Sequence, residues 1–306
     1  MRAVDPNLAF SSHLFGVSGS GKTRLALDGL CHNWGLYISC RSSPGSPSGS
    51  GDFAEATLIM QTMSSWRARE ANPEKAAEAA NRTFAMLLCA RFFVLKQLVQ
   101  YLPRDTQPMV ARRRWVFAQV LPPRVNDTDI FVHMLLSLRG GRSDLLQSFM
   151  STTLYALKTI RPSLFPKGFT IRLFGVIDEA QVAADLLKYF PSTTGESMRP
   201  VLRGMYNSLV MTQFFTGIIL AGTGLSMSTV KTVLSSVSAK YDGRAQPLVF
   251  SDIGRFGSGY PSQVEYIRRY LSFSDTESDR RLLERIVHWF SGRYVYRLIF
   301  DVVATA

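Results

Sequence analysis

One stretch near the start of the chain, Leu14 to Leu27, reads LFGVSGSGKTRLAL. Four residues separate Gly16 from Gly21-Lys22-Thr23, a glycine-rich spacing that calls for a strand, a tight loop and a helix in that order. Leu14 and Phe15 supply the apolar end of the strand, and Leu25, Ala26 and Leu30 follow at helical spacing. Glycines let the backbone curl where a Cβ would clash. Successive N–H groups then face inward as an anion nest, and the helix adds its positive end. The pattern predicts a phosphate cradle of Gly16, Ser18, Gly19, Ser20, Gly21, Lys22, Thr23 and Arg24. Lys22 is expected to bring a charge to the β- and γ-phosphates and Thr23 a hydroxyl to Mg²⁺. The plainer reading is a chance glycine–serine turn, and the flanking strand and helix count against it.

A second stretch, Ile171 to Gln181, reads IRLFGVIDEAQ. The apolar run Leu173 to Ile177 predicts a buried parallel strand whose C-terminal tip carries Asp178 and Glu179, where ligands bind in open α/β sheets. Asp178 is expected to hold the Mg²⁺ shell and Glu179 to orient or deprotonate an attacking water. Two acids ending a strand are often merely solvated; an upstream phosphate loop turns them into a Mg-nucleotide site. A third apolar run, Phe214 to Gly222, is followed by Thr223. Two readings of Thr223 stand side by side: contact with the γ-phosphate or attacking water, and an ordinary strand-to-helix turn.

The chain has 306 residues, 46% of them hydrophobic, enough for a substantial core and against wholesale disorder. Its net charge of +12 favours an acidic partner: nucleotide, nucleic acid or an anionic surface. Cys31, Cys40 and Cys89 lack metal-ligand spacing and fit free thiols in a reducing compartment, and the four histidines form no zinc pattern. MRAVDPNLAF lacks a signal-peptide core, and the most apolar stretch, Phe84 to Val99, is cut by Arg91 and Lys96. The expectation is an intracellular protein, of cytoplasm or nucleus, with no membrane partner.

Along the chain, the first helix is expected from Lys22 to about Trp34 with Gly35 as its stop, and a second core strand over Leu36 to Cys40. Arg41 to Gly51 reads as a flexible loop. Asp52 is read as an N-cap, Pro73 as the first position of a new helix, and Ala76 to Gln100 as one long helix that forms core. Further helices are expected over 130–138, 145–160, 180–189 and 202–211, a polar loop over 192–197, a last core strand over 247–250, and amphipathic helices over 262–271 and 276–290. Arg112-Arg113-Arg114 is the densest basic cluster, read either as a solvated face or as a phosphate-backbone contact. The predicted fold class is α/β: a P-loop NTPase three-layer sandwich with a mainly parallel sheet. The core is expected over residues 1–250, with a helical insertion at about 52–165 and a helical, lid-like region over 251–306.

These motifs, in this order, resemble the additional-strand P-loop ATPases, the division that holds AAA+ and STAND proteins. Within it, GKTRLALDGLCHNWGLYIS, VIDEAQ, AGTGLS and the tail YIRRYL…HWFSGRY are similar to fungal NTPase modules of Crinkler-like effector proteins, themselves related to trypanosome retrotransposon hot-spot proteins. The resemblance spans about Phe15 to Tyr296. It implies ATP with Mg²⁺, Lys22 and Thr23 on phosphate and metal, Asp178 as metal acid, Glu179 as catalytic acid, Thr223 as first sensor and Arg293 as second sensor arginine. A surface arginine near a helix end is the other reading of Arg293, and Arg255 is a candidate for action across a subunit interface. Crinkler-like proteins carry an N-terminal header and many carry a nuclease. Here about a dozen residues precede the loop strand and no carboxylate–carboxylate–lysine set stands out, so the chain is expected to be the NTPase module alone.

Three functions fit: a nucleotide-dependent regulatory or effector-associated switch with slow turnover, a motor or nuclease-associated ATPase stimulated by nucleic acid, and a catalytically weak nucleotide-binding scaffold. A small-molecule kinase is a weaker fourth, because Glu179 beside Asp178 suits water activation better. A homo-oligomer or protein partner matters to each, since an arginine in trans raises turnover by roughly 10³–10⁵.

Overall fold

The structure, a computed structural model, describes residues 10–14, 21–41, 49–62, 73–165, 173–187, 190–191, 198–212, 214–223, 228, 248–250, 261, 264, 268, 273–274 and 276–290. Five strands form one parallel sheet: β1 (Phe10–Leu14), β2 (Gly35–Ser39), β5 (Leu173–Asp178), β8 (Phe215–Ala221) and β9 (Leu248–Phe250). Their order is β2-β5-β8-β1-β9, and every adjacent pair is parallel. The strands expected to carry the loop and the two acids are therefore not neighbours. β8 lies between them, with Ala221 opposite Leu14 and Leu220 opposite Ile177, so three C-terminal tips stand side by side.

Alternate residues of β2 face opposite sides, as the strand period requires. Leu36 and Ile38 enter the large apolar core with Phe53, Phe84, Leu87 and Ile177. Tyr37 enters a smaller one with Ala26, Leu30, Val116, Val176 and Ala221. Helices thus cover both faces of the sheet, and β2, β5 and β8 carry apolar residues on both sides.

Between β2 and β5 the chain is mostly helical, as the sequence predicts: α2 (Asp52–Thr62), α3 (Pro73–Tyr101), α4 (Pro108–Val120), α5 (Ile130–Ser137) and α6 (Ser143–Ile160), then a 3₁₀ turn at Pro162–Leu164. A hairpin that the sequence reading passed over, β3 (Arg124–Val125) with β4 (Thr128–Asp129), turns on Asn126 and Asp127 at φ of 50° and 61°. Short polar residues tolerate that left-handed region, and two in succession suit the twist of a tight hairpin. Asp129 then caps α5, accepting the N–H groups of Phe131 and Val132 at 2.9 Å.

Downstream lie α7 (Ala180–Asp185), α8 (Val201–Met211) and α9 (Glu277–Phe290). A two-stranded ribbon, β6 (Phe190–Pro191) with β7 (Met198–Arg199), brackets the stretch expected to be a polar loop. The expected helix over 262–271, the final segment from Tyr294 and the closing residues of the chain lie largely outside the described residues.

The structure departs from the sequence expectation at Gly35 and at Asp52. The first helix, α1, is Lys22–His32 and ends at Asn33, whose extended backbone donates to the Gly29 carbonyl at 3.0 Å. Gly35 is not the stop but the first residue of β2. A Cβ there would lie 2.3 Å from the Phe174 carbonyl oxygen, so close strand approach demands the glycine. Asp52 opens α2, but its carboxylate is fully buried and paired with Arg91, at 2.7 Å from Nε and 2.8 Å from Nη2.

That pair belongs to a set of side chains closing the outer edge of β2. Arg91 Nη1 donates to the Tyr37 carbonyl, and Gln119 Oε1 accepts the Tyr37 N–H at 2.8 Å. Trp115 Nε1 donates to the Gly35 carbonyl at 2.7 Å, joined by Gln119 Nε2 at 3.3 Å. α3 and α4 thus supply in side chains what a further strand would supply in backbone, and the edge groups are satisfied without water.

The stretch Glu78–Tyr101 of α3 is, by length and composition, apolar enough to cross a bilayer, the one such helix among the described residues. Most of it is buried within the fold, with the ion-paired Arg91 near its middle, as for a core helix. The cysteines are unpaired. Burial pushes the Cys89 thiol up to about 12 and the enclosed Cys40 thiol well above its ordinary value, so neither forms thiolate readily.

Candidate functional site at the strand tips

The site residues come from three chain segments. α1 begins directly after Gly21, which sits in the left-handed region at φ 87° and ψ 12°, a conformation that glycine adopts without a Cβ penalty. Its carbonyl accepts the Leu25 N–H at 2.9 Å, so Gly21 is already the helix's first acceptor. Lys22 and Thr23 then occupy the first turn. Arg24 beside them is exposed. Gly16, Ser18, Gly19 and Ser20 lie outside the described residues, as do Arg255 and Arg293.

The second segment is the end of β5. Asp178 is its last residue, 3% exposed. The carboxylate accepts three hydrogen bonds: from Thr23 Oγ1 at 2.8 Å and Tyr37 Oη at 2.8 Å, both on Oδ2, and from the Glu179 N–H at 3.0 Å on Oδ1. None of the three donors carries a charge. Burial raises the Asp178 pKa above the ordinary carboxylate value; the bonds from Tyr37 and Thr23 oppose that, and the Glu179 charge adds to it. The same contact, with burial the larger cause, holds the Tyr37 phenol well above its ordinary range. Lys22 is also buried, which lowers its pKa, while Glu179 and Asp178 pull in the opposite direction.

Glu179 turns the chain from strand to α7 in the left-handed region, at φ 53°. For a non-glycine residue that conformation is uncommon and tends to persist at functional sites. Its carboxylate meets Arg41 Nη2 at 3.4 Å and Gln181 Nε2 at 2.5 Å. Gln181 reaches further: its Oε1 accepts the Thr223 N–H at 3.1 Å. One amide therefore ties Glu179 to the third segment, the tip of β8. Gly222 makes room for it, since a Cβ there would lie 2.3 Å from Gln181 Oε1.

The structure thus brings together Lys22, Thr23, Asp178, Glu179 and Thr223, residues far apart in sequence. Sequence reasoning missed Tyr37, Gln181 and Gly222. Tyr37 lies in a strand expected to be merely apolar, and an aromatic in a β-rich run carries no mark of a polar duty. Gln181 stood in the DEAQ run without an assigned role; its two-residue spacing from Glu179 was the available signal.

The donor set suits a hard divalent cation. A buried carboxylate held by neutral donors keeps its charge uncompensated by any ion pair among the described residues, and the Thr23 hydroxyl oxygen lies within hydrogen-bond reach of it. Mg²⁺ is commonly held by one or two such protein oxygens, with phosphate and water completing the shell. No protein-family profile matches the chain, and no curated protein matches it in sequence.

Proposed function

We propose that the chain is a Mg²⁺-dependent nucleotide-binding module that hydrolyses ATP, built as a P-loop NTPase sandwich of the additional-strand kind. The observation that carries this reading is the 2.8 Å hydrogen bond from Thr23 to Asp178, which closes a 155-residue separation between the predicted phosphate loop and the predicted metal acid. The strand order supports it, because β8 is the strand interposed between β1 and β5. The left-handed Gly21 supports it too, since a loop that wraps phosphate needs such a residue where it enters its helix.

In this reading Lys22 binds the terminal phosphates, and its burial strengthens the attraction by excluding water. Thr23 and Asp178 would hold Mg²⁺, which neutralises charge developing on the phosphates. Glu179 orients a water against the γ-phosphate and accepts its proton as the O–P bond forms and the bond to the β-phosphate oxygen breaks, leaving ADP and phosphate. Gln181 fixes the Glu179 carboxylate from one side and reads the β8 tip from the other. ATP over GTP rests on the family resemblance and on the lack of an N/T-K-x-D guanine motif. Arg293 stays the candidate second sensor, and the regulatory or effector-associated switch is the preferred role.

The test is ATP binding and turnover with Mg²⁺ in wild type, Lys22→Ala and Glu179→Gln. Lys22→Ala is expected to lose roughly 10–100-fold in affinity, the worth of a charge-assisted contact. Glu179→Gln is expected to keep binding and lose about 10²–10⁴-fold in turnover. A wild-type chain that binds no nucleotide would sink the reading.

A second reading, stimulation by nucleic acid, draws on the net charge of +12 and on Arg113 and Arg114, exposed on α4 near the exposed Phe117. Arg112 is engaged elsewhere, donating to the Cys31 carbonyl at 3.2 Å. Binding to single- or double-stranded DNA or RNA that weakens steeply with salt, and ATP turnover that rises on binding, is the expected signature. The absence of any salt-sensitive binding removes this reading.

A further inference from the structure

We propose that Tyr37 is a positioning residue for the divalent cation, acting through Asp178; this rests on the Mg-nucleotide reading above. Its hydroxyl donates to Asp178 Oδ2 at 2.8 Å, the same oxygen that accepts from Thr23 Oγ1 at 2.8 Å. With Oδ1 taken by the Glu179 N–H at 3.0 Å, the carboxylate is held at three points and cannot rotate without losing one of them. Thr23 and Glu179 belong to segments that the nucleotide itself would engage. Tyr37 comes from β2, the edge strand beside β5.

Tyr37 is unusually well anchored for this duty. Its ring is 1% exposed, packed in the small core with Ala26, Leu30, Val116 and Val176. Its N–H is taken by Gln119 Oε1 at 2.8 Å and its carbonyl by Arg91 Nη1, itself locked in the buried pair with Asp52. Both neighbours come from helices α3 and α4. The hydroxyl therefore points at Asp178 from a backbone with little freedom. Partners one step removed from a metal commonly set ligand orientation, and losing one costs about 10–100-fold in metal affinity.

A purely structural account is that Tyr37 is a core residue whose buried hydroxyl needs an acceptor and finds one in Asp178. The two accounts separate on cation dependence. Tyr37→Phe keeps the ring and deletes only the donor. Val116→Ala loosens the same apolar cluster and leaves the hydroxyl in place, which makes it the control for lost packing. The measurement is binding of a fluorescent non-hydrolysable ATP analogue across a Mg²⁺ titration, alongside binding in EDTA and a melting curve for each chain. The readout is the Mg²⁺ midpoint.

Tyr37→Phe is expected to raise the midpoint about tenfold or more, to recover full binding at saturating Mg²⁺, and to bind in EDTA as wild type does. Val116→Ala is expected to melt earlier with an unmoved midpoint. A Tyr37→Phe midpoint within twofold of wild type would overturn the proposal while leaving the nucleotide reading intact. An equal shift in Val116→Ala would also overturn it, by assigning the effect to packing. A wild-type chain without Mg²⁺-dependent binding overturns both.

Discussion

Two buried carboxylates, one joined to Tyr37 through Arg91 and the other accepting the Tyr37 hydroxyl, are handled in opposite ways. Asp52 is met by Nε and Nη2 of the Arg91 guanidinium, and neither side chain is exposed. Asp178 is nearly as buried, yet its three donors are two hydroxyls and one backbone N–H. The first charge is cancelled within the fold. The second has no ion pair among the described residues: neutral donors orient it and Lys22 acts on it through space, an arrangement that costs desolvation and suits a cation. Charge compensation, more than burial, separates a group that holds the fold together from one kept ready for a ligand.

The difference can be broken most severely at Arg91. Arg91→Leu strands the buried Asp52 charge and frees the Tyr37 carbonyl. A loss of about 3–5 kcal/mol is expected in urea unfolding. The double variant Asp52→Leu/Arg91→Leu should recover part of that loss, because no lone charge is then buried.

At the other cluster the expected effect falls on turnover. Gly222→Ala pushes the Gln181 amide away from the Thr223 N–H; the flexible side-chain end is the main obstacle, with the Gln181 backbone nitrogen 3.3 Å from the new Cβ. ATP turnover should fall about tenfold, roughly 1.4 kcal/mol of activation free energy. Thermal melting should hardly change. A large drop in melting temperature with normal turnover would show that the Gln181 bridge is structural.

Asp178→Asn sharpens the comparison in its sign. The folded-state pKa of Asp178 is raised above its ordinary value of 3.8, so the native state holds this proton more tightly than the unfolded chain. The charged carboxylate then disfavours folding above the folded pKa, and that penalty disappears as pH falls through it toward 3.8. Asp178→Asn removes the penalty along with the proposed cation site. The variant's amide nitrogen cannot accept from the donor it faces, so a loss of no more than about 1–3 kcal/mol is expected at neutral pH, less than for Arg91→Leu. Its stability relative to wild type should decline on acidification. A loss of several kcal/mol would place Asp178 in the same structural class as Asp52.

The smallest effect is expected at Arg41. Its 3.4 Å contact with Glu179 leaves 41% of its side chain exposed, so salt screens it. Arg41→Ala should alter stability by less than about 1 kcal/mol, and high salt should erase the difference.

What could be read from the sequence divides along the same line. The glycine spacing before Lys22 and the apolar run ending at Asp178 are local patterns, and α1 and β5 form where those patterns lie. The helical region after β2 and the long α3 were legible in the same way. The clusters that complete each carboxylate were not. Tyr37 meets Gln119 across 82 residues and Asp178 across 141, and no periodicity announces a polar contact at such range. Asp52 looked like an N-cap because a cap and a buried anion use the same residue at the same place in a helix. Gly35 looked like a helix stop because crowding between strands leaves the same mark in a sequence as a left-handed turn.

The covered edge of β2 bears on the order in which the protein can be made. A chain leaving the ribosome presents β2 long before β5, its partner in the sheet, has been synthesised. Arg91, Trp115 and Gln119 arrive in the interval, and they carry the groups that satisfy Gly35 and Tyr37. The nascent strand can therefore be sheltered on one side while its other side waits for β5. The helical stretch would then serve during synthesis as an escort for a hydrophobic strand, guarding it from unrelated chains until the rest of the sheet exists.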